Sequence, residues 1–248
     1  MTIDYRVGDV REQLALIPQG SIQTTVTSPP YNIGVKYDVW DDNLRDEEYR
    51  MFLWDVAKGL LRATSDYGSL FLQVGSKPSQ PMRVYELLGN FLHAGWQVQN
   101  DIIWVKSISI GEDTQGHFKT VNSPSYLNST HEHIFHLTKN KVDLDRVAIG
   151  VPYKDKSNIA RFKGIKADKR CRGNVWFIPY PTTHGPKEHP ASFPLELPLW
   201  CLQLAANKGM VLDPFAGSGT TLLAARMLGL DAIEIDVSAG YKALWENK

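Results

Sequence analysis

No apolar run in the chain approaches the ~18 residues of a membrane-spanning helix. The first 30 residues carry Asp4, Arg6, Asp9, Arg11 and Glu12 where a secretory leader would be apolar. A cytoplasmic protein without membrane contact is expected. Cysteine is nearly absent: Cys171 and Cys201 stand alone, without C-x-x-C spacing, which excludes a disulfide framework and a cysteine-rich zinc site. Net charge is absent too, because 27 basic side chains balance 27 acidic ones, and this excludes the global cationic character of a histone or a polybasic membrane binder. What remains is ordinary globular composition, 43% hydrophobic and 22% charged over 248 residues, enough chain for one large or two small domains.

The zero balance hides a local asymmetry. Between Asp38 and Asp55 seven acids face two bases, whereas between Lys154 and Arg172 eight bases (Lys154, Lys156, Arg161, Lys163, Lys166, Lys169, Arg170 and Arg172) face two acids. A basic surface of that kind attracts phosphates, and a merely solvated loop would carry the same charges. The acidic stretch reads as a solvated approach to a helix, with a flap over a ligand as the alternative.

Short apolar runs bounded by turn signals predict strands at Tyr5 to Val7, Ile22 to Thr27, Ser69 to Val74, Val98 to Val105, Ile134 to Thr138, Met210 to Leu212 and Ala232 to Ile235. From Glu47 to Arg62, Tyr49, Phe52, Leu53, Val56 and Leu60 recur at helical spacing. Similar patterns predict helices from Pro81, Leu195, Thr220 and Ser238. Alternating strands and helices imply an α/β protein with a largely parallel sheet, whose ligands sit beyond the carboxyl ends of the strands. The polar, basic and weakly periodic stretch from 106 to 172, interrupted by one sheet strand near 132–138, reads as an inserted irregular lobe. The main domain is then 1–105 together with 173–248.

Two loops carry chemistry. The first runs Asp213-Pro214-Phe215-Ala216-Gly217-Ser218-Gly219-Thr220, between a strand and a helix. Its glycines let backbone approach a ligand closely, and the helix start offers unpaired N–H donors. No lysine follows Gly219, so a phosphate-cradling P-loop is excluded, and Leu222 stands where a dinucleotide fingerprint has its third glycine. A nucleoside without phosphates fits better, since Glu234 lies 17 positions after Gly217, close to the roughly 20 at which an acid grips ribose hydroxyls. The second loop is Ser28-Pro29-Pro30-Tyr31 after another strand. Two prolines remove amide donors and stiffen the backbone, leaving carbonyl acceptors beside a hydroxyl and an aromatic ring, a setting for an amine on a flat heterocycle. Taken singly, each loop also reads as an ordinary turn.

Together, TSPPYNIG near the front and VLDPFAGSGTT near the back resemble the circularly permuted (β-class) DNA amino-methyltransferases, and the resemblance spans nearly the whole chain. DIIWVK, HEHIFHLTK, NVWFIP, HPASFP and AIEID extend it. The resemblance implies a Rossmann-like methyltransferase fold with a seven-stranded, mostly parallel sheet, helices on both faces and a small target-recognition lobe at 106–172. It implies S-adenosyl-L-methionine as cofactor, held by Asp213, Phe215, Gly217, Gly219 and Thr220, with Glu234 on the ribose, Asp9 on the adenine amine, and His189 and Pro190 in the neighbouring wall. Ser28, Pro29, Pro30 and Tyr31 would hold the target base, and the eight bases of the lobe would meet double-stranded DNA. Serine at position 28, where many adenine-methylating members have aspartate, points to cytosine N4, with adenine N6, RNA or a protein amide as alternatives. A cognate restriction endonuclease and a homodimer are left open as partners.

An exocyclic amine is a poor nucleophile because its lone pair is delocalised into the ring. Two acceptors can hold its hydrogens and aim the lone pair at a sulfonium methyl, without a covalent intermediate. Methylation at cytosine C5 would need a thiolate, and neither cysteine sits in a Pro-Cys turn. His131, His133 and His136 lack metal-ligand spacing, so no metal is expected. Trp54, Trp104 and Trp200 fall inside apolar patterns and are read as core.

Overall fold

The computed structural model describes residues 2–116, 121–161, 168–180, 192–206 and 208–246. Strands β1 (Ile3–Val7), β2 (Ile22–Thr27), β3 (Thr64–Val74), β4 (Gln97–Val105), β7 (His131–Thr138), β10 (Val175–Phe177), β11 (Val211–Asp213) and β12 (Ala232–Asp236) form one sheet in the order β1-β12-β11-β2-β3-β7-β4-β10. Strand β7 runs antiparallel to both its neighbours, and every other adjacent pair is parallel. The expected sheet had seven strands. The eighth, β10, is a three-residue edge strand, too short to show a period of its own.

Helices α1 (Val10–Ala15), α2 (Asp46–Ala63) and α3 (Arg83–Ala94) cover one face, while α4 (Glu196–Leu204) and α5 (Thr220–Met227) cover the other, joined there by α6 (Ala239–Glu246). Strand alternation divides the core accordingly. Leu70, Leu72 and Val74 join the first cluster, and Phe71 between them joins the second. Ile22 and Val26 would share a face at period two, but a register shift between Ile22 and Thr24 sends them to opposite clusters. Helix α2 buries Tyr49, Phe52, Leu53, Val56 and Leu60, as the spacing predicts, and its first-turn acids Asp46, Glu47 and Glu48 sit where the helix dipole favours negative charge. Of the three tryptophans read as core, Trp104 is buried, Trp200 is half-buried and Trp54 is 39% exposed beneath Lys58. Among the described residues no helix is long and apolar enough to cross a membrane.

Residues 106–172 contribute β7 to the main sheet. The rest of that stretch includes two short antiparallel pairs, β5 (Ser107–Ile110) with β6 (Asp113–Gly116) and β8 (Val151–Pro152) with β9 (Lys169–Arg170), and a 3-10 turn at Lys156–Arg161. Lys154, Lys169 and Arg170 are exposed. Lys156 pairs with Asp168. Arg172 departs from the expected role of a free phosphate contact: its guanidinium lies 4.2 Å over the Trp200 ring and donates to the Ile149 carbonyl at 2.9 Å, fastening the lobe to α4. Lys163 and Lys166 lie outside the described residues, as does the side chain of Arg161.

Candidate active site

The carboxyl ends of β1, β2, β11 and β12 converge on a cavity of about 250 Å³, where the N-terminal end of antiparallel β7 also arrives. Four carboxylates line it, from Asp9, Asp38, Glu132 and Asp236, and no lysine, arginine or histidine does so among the described residues. Such a lining repels phosphates and suits a cationic or hydroxyl-rich ligand. Phe52, Phe215 and Trp40 supply an aromatic wall, with Trp40 4.7 Å from Phe52 and Phe215 edge-on to Phe52 at 6.1 Å.

The glycine loop closes one side. Gly217 and Gly219 take φ of 51° and 81°, a left-handed region open mainly to glycine. At Gly219 a Cβ would also come within 2.8 Å of the Trp245 ring of α6. Phe215 and Thr220 line the cavity, whereas Asp213 and Glu234, the two acids expected to hold the ligand, lie beneath the loop and are buried. They sit opposite one another on β11 and β12. Asp213 accepts from the Thr27 hydroxyl at 2.7 Å, the Thr221 hydroxyl at 2.8 Å and the Phe215 amide at 3.0 Å, and Glu234 accepts from the Leu222 amide at the start of α5. These carboxylates hold the loop's shape. On β11 and β12 the acid that reaches the cavity is Asp236, at the end of β12, which accepts from the Gly217 amide at 2.8 Å and the Ser238 amide at 2.9 Å.

Burial pushes the Asp213 carboxyl up to about 6, against the pull of its hydrogen bonds from Thr27 and Thr221. A raised folded-state pKa means that the fold favours the neutral acid, so this stabilisation is present below pH 3.8 and lost as pH rises through about 6. Asp213→Asn should remove the dependence: the stability of wild type relative to the variant is expected to fall by as much as about 3 kcal/mol between pH 4 and pH 7, read from urea unfolding at the two pH values. A difference that does not change with pH would contradict the buried-acid description.

Asp9 caps α1, accepting from the Arg11 amide at 2.8 Å, and its carboxylate is gripped by the Arg11 guanidinium at 2.7 and 3.0 Å. Hydrogen bonding from Arg11 holds its pKa below the usual carboxylate range, so it stays an acceptor at the cavity edge. Ser192 and Phe193 line the cavity, while His189 and Pro190 lie outside the described residues.

The Pro-Pro turn forms the opposite wall. Pro29 and Pro30 are buried, the Tyr49 hydroxyl donates to the Pro30 carbonyl, and Arg83 donates to the Tyr31 carbonyl at 3.3 Å. Ser28 Oγ lies 2.9 Å from Tyr31 Oη, which donates to Gln73 Oε1 at 2.9 Å. Gln73 and Glu132 both line the cavity and were not found from sequence, since only the sheet order places the ends of β3 and β7 beside the turn.

The start of the acidic stretch forms a roof, while Asp46, Glu47 and Glu48 are exposed at the head of α2, the solvated approach to a helix that the sequence suggested. Asp42, only 2% exposed, accepts from the backbone amides of Asn32, Ile33 and Val35 at 2.8 to 3.1 Å, folding residues 32–42 into a loop whose Ile33, Val35 and Trp40 line the cavity. The Ser238 hydroxyl donates to Asp38 and ties that loop to the segment leading into α6.

The mostly parallel sheet, with its glycine turn and an acid-lined cavity at the carboxyl edge beside a Pro-Pro-Tyr wall, has the Rossmann-like architecture that the resemblance to methyltransferases implied. A family model described as DNA methylase (N6_N4_Mtase) matches residues 22–247. The chain belongs to this family of DNA methylases. It is 28% identical over 232 residues to the type II methyltransferase M.HpaI of Haemophilus parainfluenzae, spanning 91% of this chain and 67% of that protein. The fold is similar to PvuII DNA methyltransferase (cytosine-N4-specific), with a TM-score of 0.73 at 19% identity over 99% of this chain and 86% of that one. It is also similar to a Thermus thermophilus protein described as a DNA modification methylase complexed with S-adenosyl-L-methionine, with a TM-score of 0.64 at 24% identity over 100% and 94%.

Proposed function

We propose that the protein methylates an exocyclic amine of a base in duplex DNA, cytosine N4 in preference to adenine N6, using S-adenosyl-L-methionine. The observation that carries this reading is the cavity itself: four carboxylates without a basic side chain among its described lining, walled by Ser28, Pro29 and Tyr31. The lining fits a cationic nucleoside without phosphates. When bound, S-adenosyl-L-methionine supplies an electrophilic methyl group. Asp236 takes the ribose hydroxyls, Asp9 the adenine amine, and Phe215 and Phe52 enclose the apolar faces. Asp213 and Glu234 act indirectly by shaping the loop.

Ser28 Oγ and the Pro29 carbonyl accept the two hydrogens of the target amine and leave its lone pair directed at the methyl donor. The N–C bond forms as the S–C bond breaks, and the amine then releases one proton to water. A paired base must leave the duplex to reach this wall, and Tyr31 replaces part of the lost stacking. Residues 106–172 serve target recognition, with Lys154, Lys169 and Arg170 toward the DNA backbone. A modification role in a type II system is consistent with M.HpaI. Ser28 and the cytosine-N4-specific fold relative favour cytosine, although both amines present the same pair of hydrogens.

The test is digestion of treated duplex DNA to nucleosides followed by mass spectrometry. N4-methylcytosine is expected. N6-methyladenine would overturn the base preference and leave the amine mechanism standing, 5-methylcytosine would overturn the mechanism, and absence of any methylated base would overturn the whole reading.

A further inference from the structure

The cavity wall contains a hydrogen-bond chain whose direction is set at its far end. Lys106 Nζ donates to Glu132 Oε1 at 2.6 Å, and Gln73 Nε2 donates to Glu132 Oε2. An ionised carboxylate can only accept, so it takes the amide nitrogen of Gln73 and leaves the amide oxygen toward Tyr31. That oxygen also can only accept. Tyr31 must therefore give its single hydrogen to Gln73, at 2.9 Å, and Ser28, 2.9 Å from Tyr31 Oη, must give its own hydrogen to the phenol oxygen. Burial and the nearby Glu132 charge raise the Tyr31 pKa well above its ordinary value, so the phenol keeps the hydrogen this chain needs. The Ser28 oxygen is left facing the cavity with lone pairs only.

We infer that Glu132, anchored by Lys106, is a positioning residue that acts through Gln73 and Tyr31 to make Ser28 an obligate hydrogen-bond acceptor for the substrate amine. The inference rests on the proposed amine chemistry and deepens it. A free serine hydroxyl rotates, and in one orientation its hydrogen would point at the amine lone pair and occupy the electrons that must attack the methyl group. The chain removes that orientation. An aspartate accepts without such control, so a serine at this position gains its acceptor character from its surroundings. Room for the anchor comes from Gly75, where a Cβ would lie 2.7 Å from the Glu132 carboxyl carbon.

Two variants disturb the anchor by different routes. Glu132→Gln removes the charge that sorts donors from acceptors, and Gly75→Ala displaces the carboxylate without altering any member of the chain. Each is expected to lower kcat for methyl transfer by about 10-fold, with KM for DNA and the calorimetric affinity for S-adenosyl-L-methionine within about twofold of wild type; the retained affinity reports an intact fold. Tyr31→Phe, which keeps the ring, should add little to the loss in Glu132→Gln, because both break the same chain. Unchanged kcat in either variant that keeps its cofactor affinity, or losses that multiply in the double variant, would overturn the inference. Failure of the wild-type protein to methylate DNA at all would instead reject the function on which it rests.

Discussion

Replacing Ser28 with alanine is expected to lower the rate of methyl transfer to duplex DNA by about 10²-fold or more, comparable to loss of one preorganised polar group at a reacting centre. The turn's backbone should survive the change. Its shape is fixed by two buried prolines, by the Tyr49 hydroxyl on the Pro30 carbonyl and by Arg83 on the Tyr31 carbonyl, none of which involves the Ser28 side chain. Cofactor affinity should be unaffected as well, since the carboxylates assigned to the nucleoside stand at the start of α1 and at the end of β12, whereas Ser28 follows β2. The expected signature is a fall in kcat with the calorimetric dissociation constant for S-adenosyl-L-methionine held constant. A variant with wild-type turnover would remove Ser28 from the amine-holding role, and one that lost cofactor affinity in parallel would show that the two halves of the cavity are coupled in a way that the hydrogen bonds do not describe.

What was legible in the sequence follows the range of the interactions concerned. Helix α2 was readable because its apolar face repeats within its own residues, and the two loops were readable because each encodes its backbone locally, through Pro29 and Pro30 in one and through Gly217 and Gly219 in the other. Helix α1 was missed because six residues hold too few turns to show a period. Asp42 looked like one more surface acid in a charged run. Its burial depends on three backbone amides that turn back toward it, a local arrangement that composition does not reveal. Gln73 and Glu132 were out of reach for a different reason: they are 59 residues apart, on antiparallel strands that meet only in the folded sheet.

The same contrast explains why charge balance was a poor guide. The chain is neutral overall, yet the charged side chains that line the cavity are all acidic among the described residues, and exposed bases stand at Lys154, Lys169 and Arg170. Under the proposed function, a cationic nucleoside and a polyanionic duplex would meet opposite fields on one protein. Neither field requires a net charge.

Asp236→Ala is expected to weaken S-adenosyl-L-methionine binding by about 10- to 100-fold, the effect of losing charge-assisted hydrogen bonds worth roughly 1.5–3 kcal/mol, while Glu234→Gln leaves affinity nearly unchanged. The motif spacing points to Glu234, and the proposal moves the contact to Asp236 because of strand geometry. Glu234 lies between Ile233 and Ile235 within β12, and its carboxylate is buried and accepts from the Leu222 amide beneath the glycine loop. Asp236 is the last residue of the same strand, so its side chain emerges at the carboxyl edge where ligands of such sheets sit. Burial raises its pKa, with the nearby Asp38 charge acting in the same direction, and the amides of Ser238 and Gly217 oppose both. A hydroxyl-bearing ligand would find there a carboxylate already oriented by backbone. Glutamine at 234 retains an oxygen for Leu222, and its consequence should appear as a shift in melting temperature. Calorimetry on the two variants separates the roles: weakened binding in Glu234→Gln with unchanged binding in Asp236→Ala would return the ribose contact to the buried acid and overturn the reading of this edge.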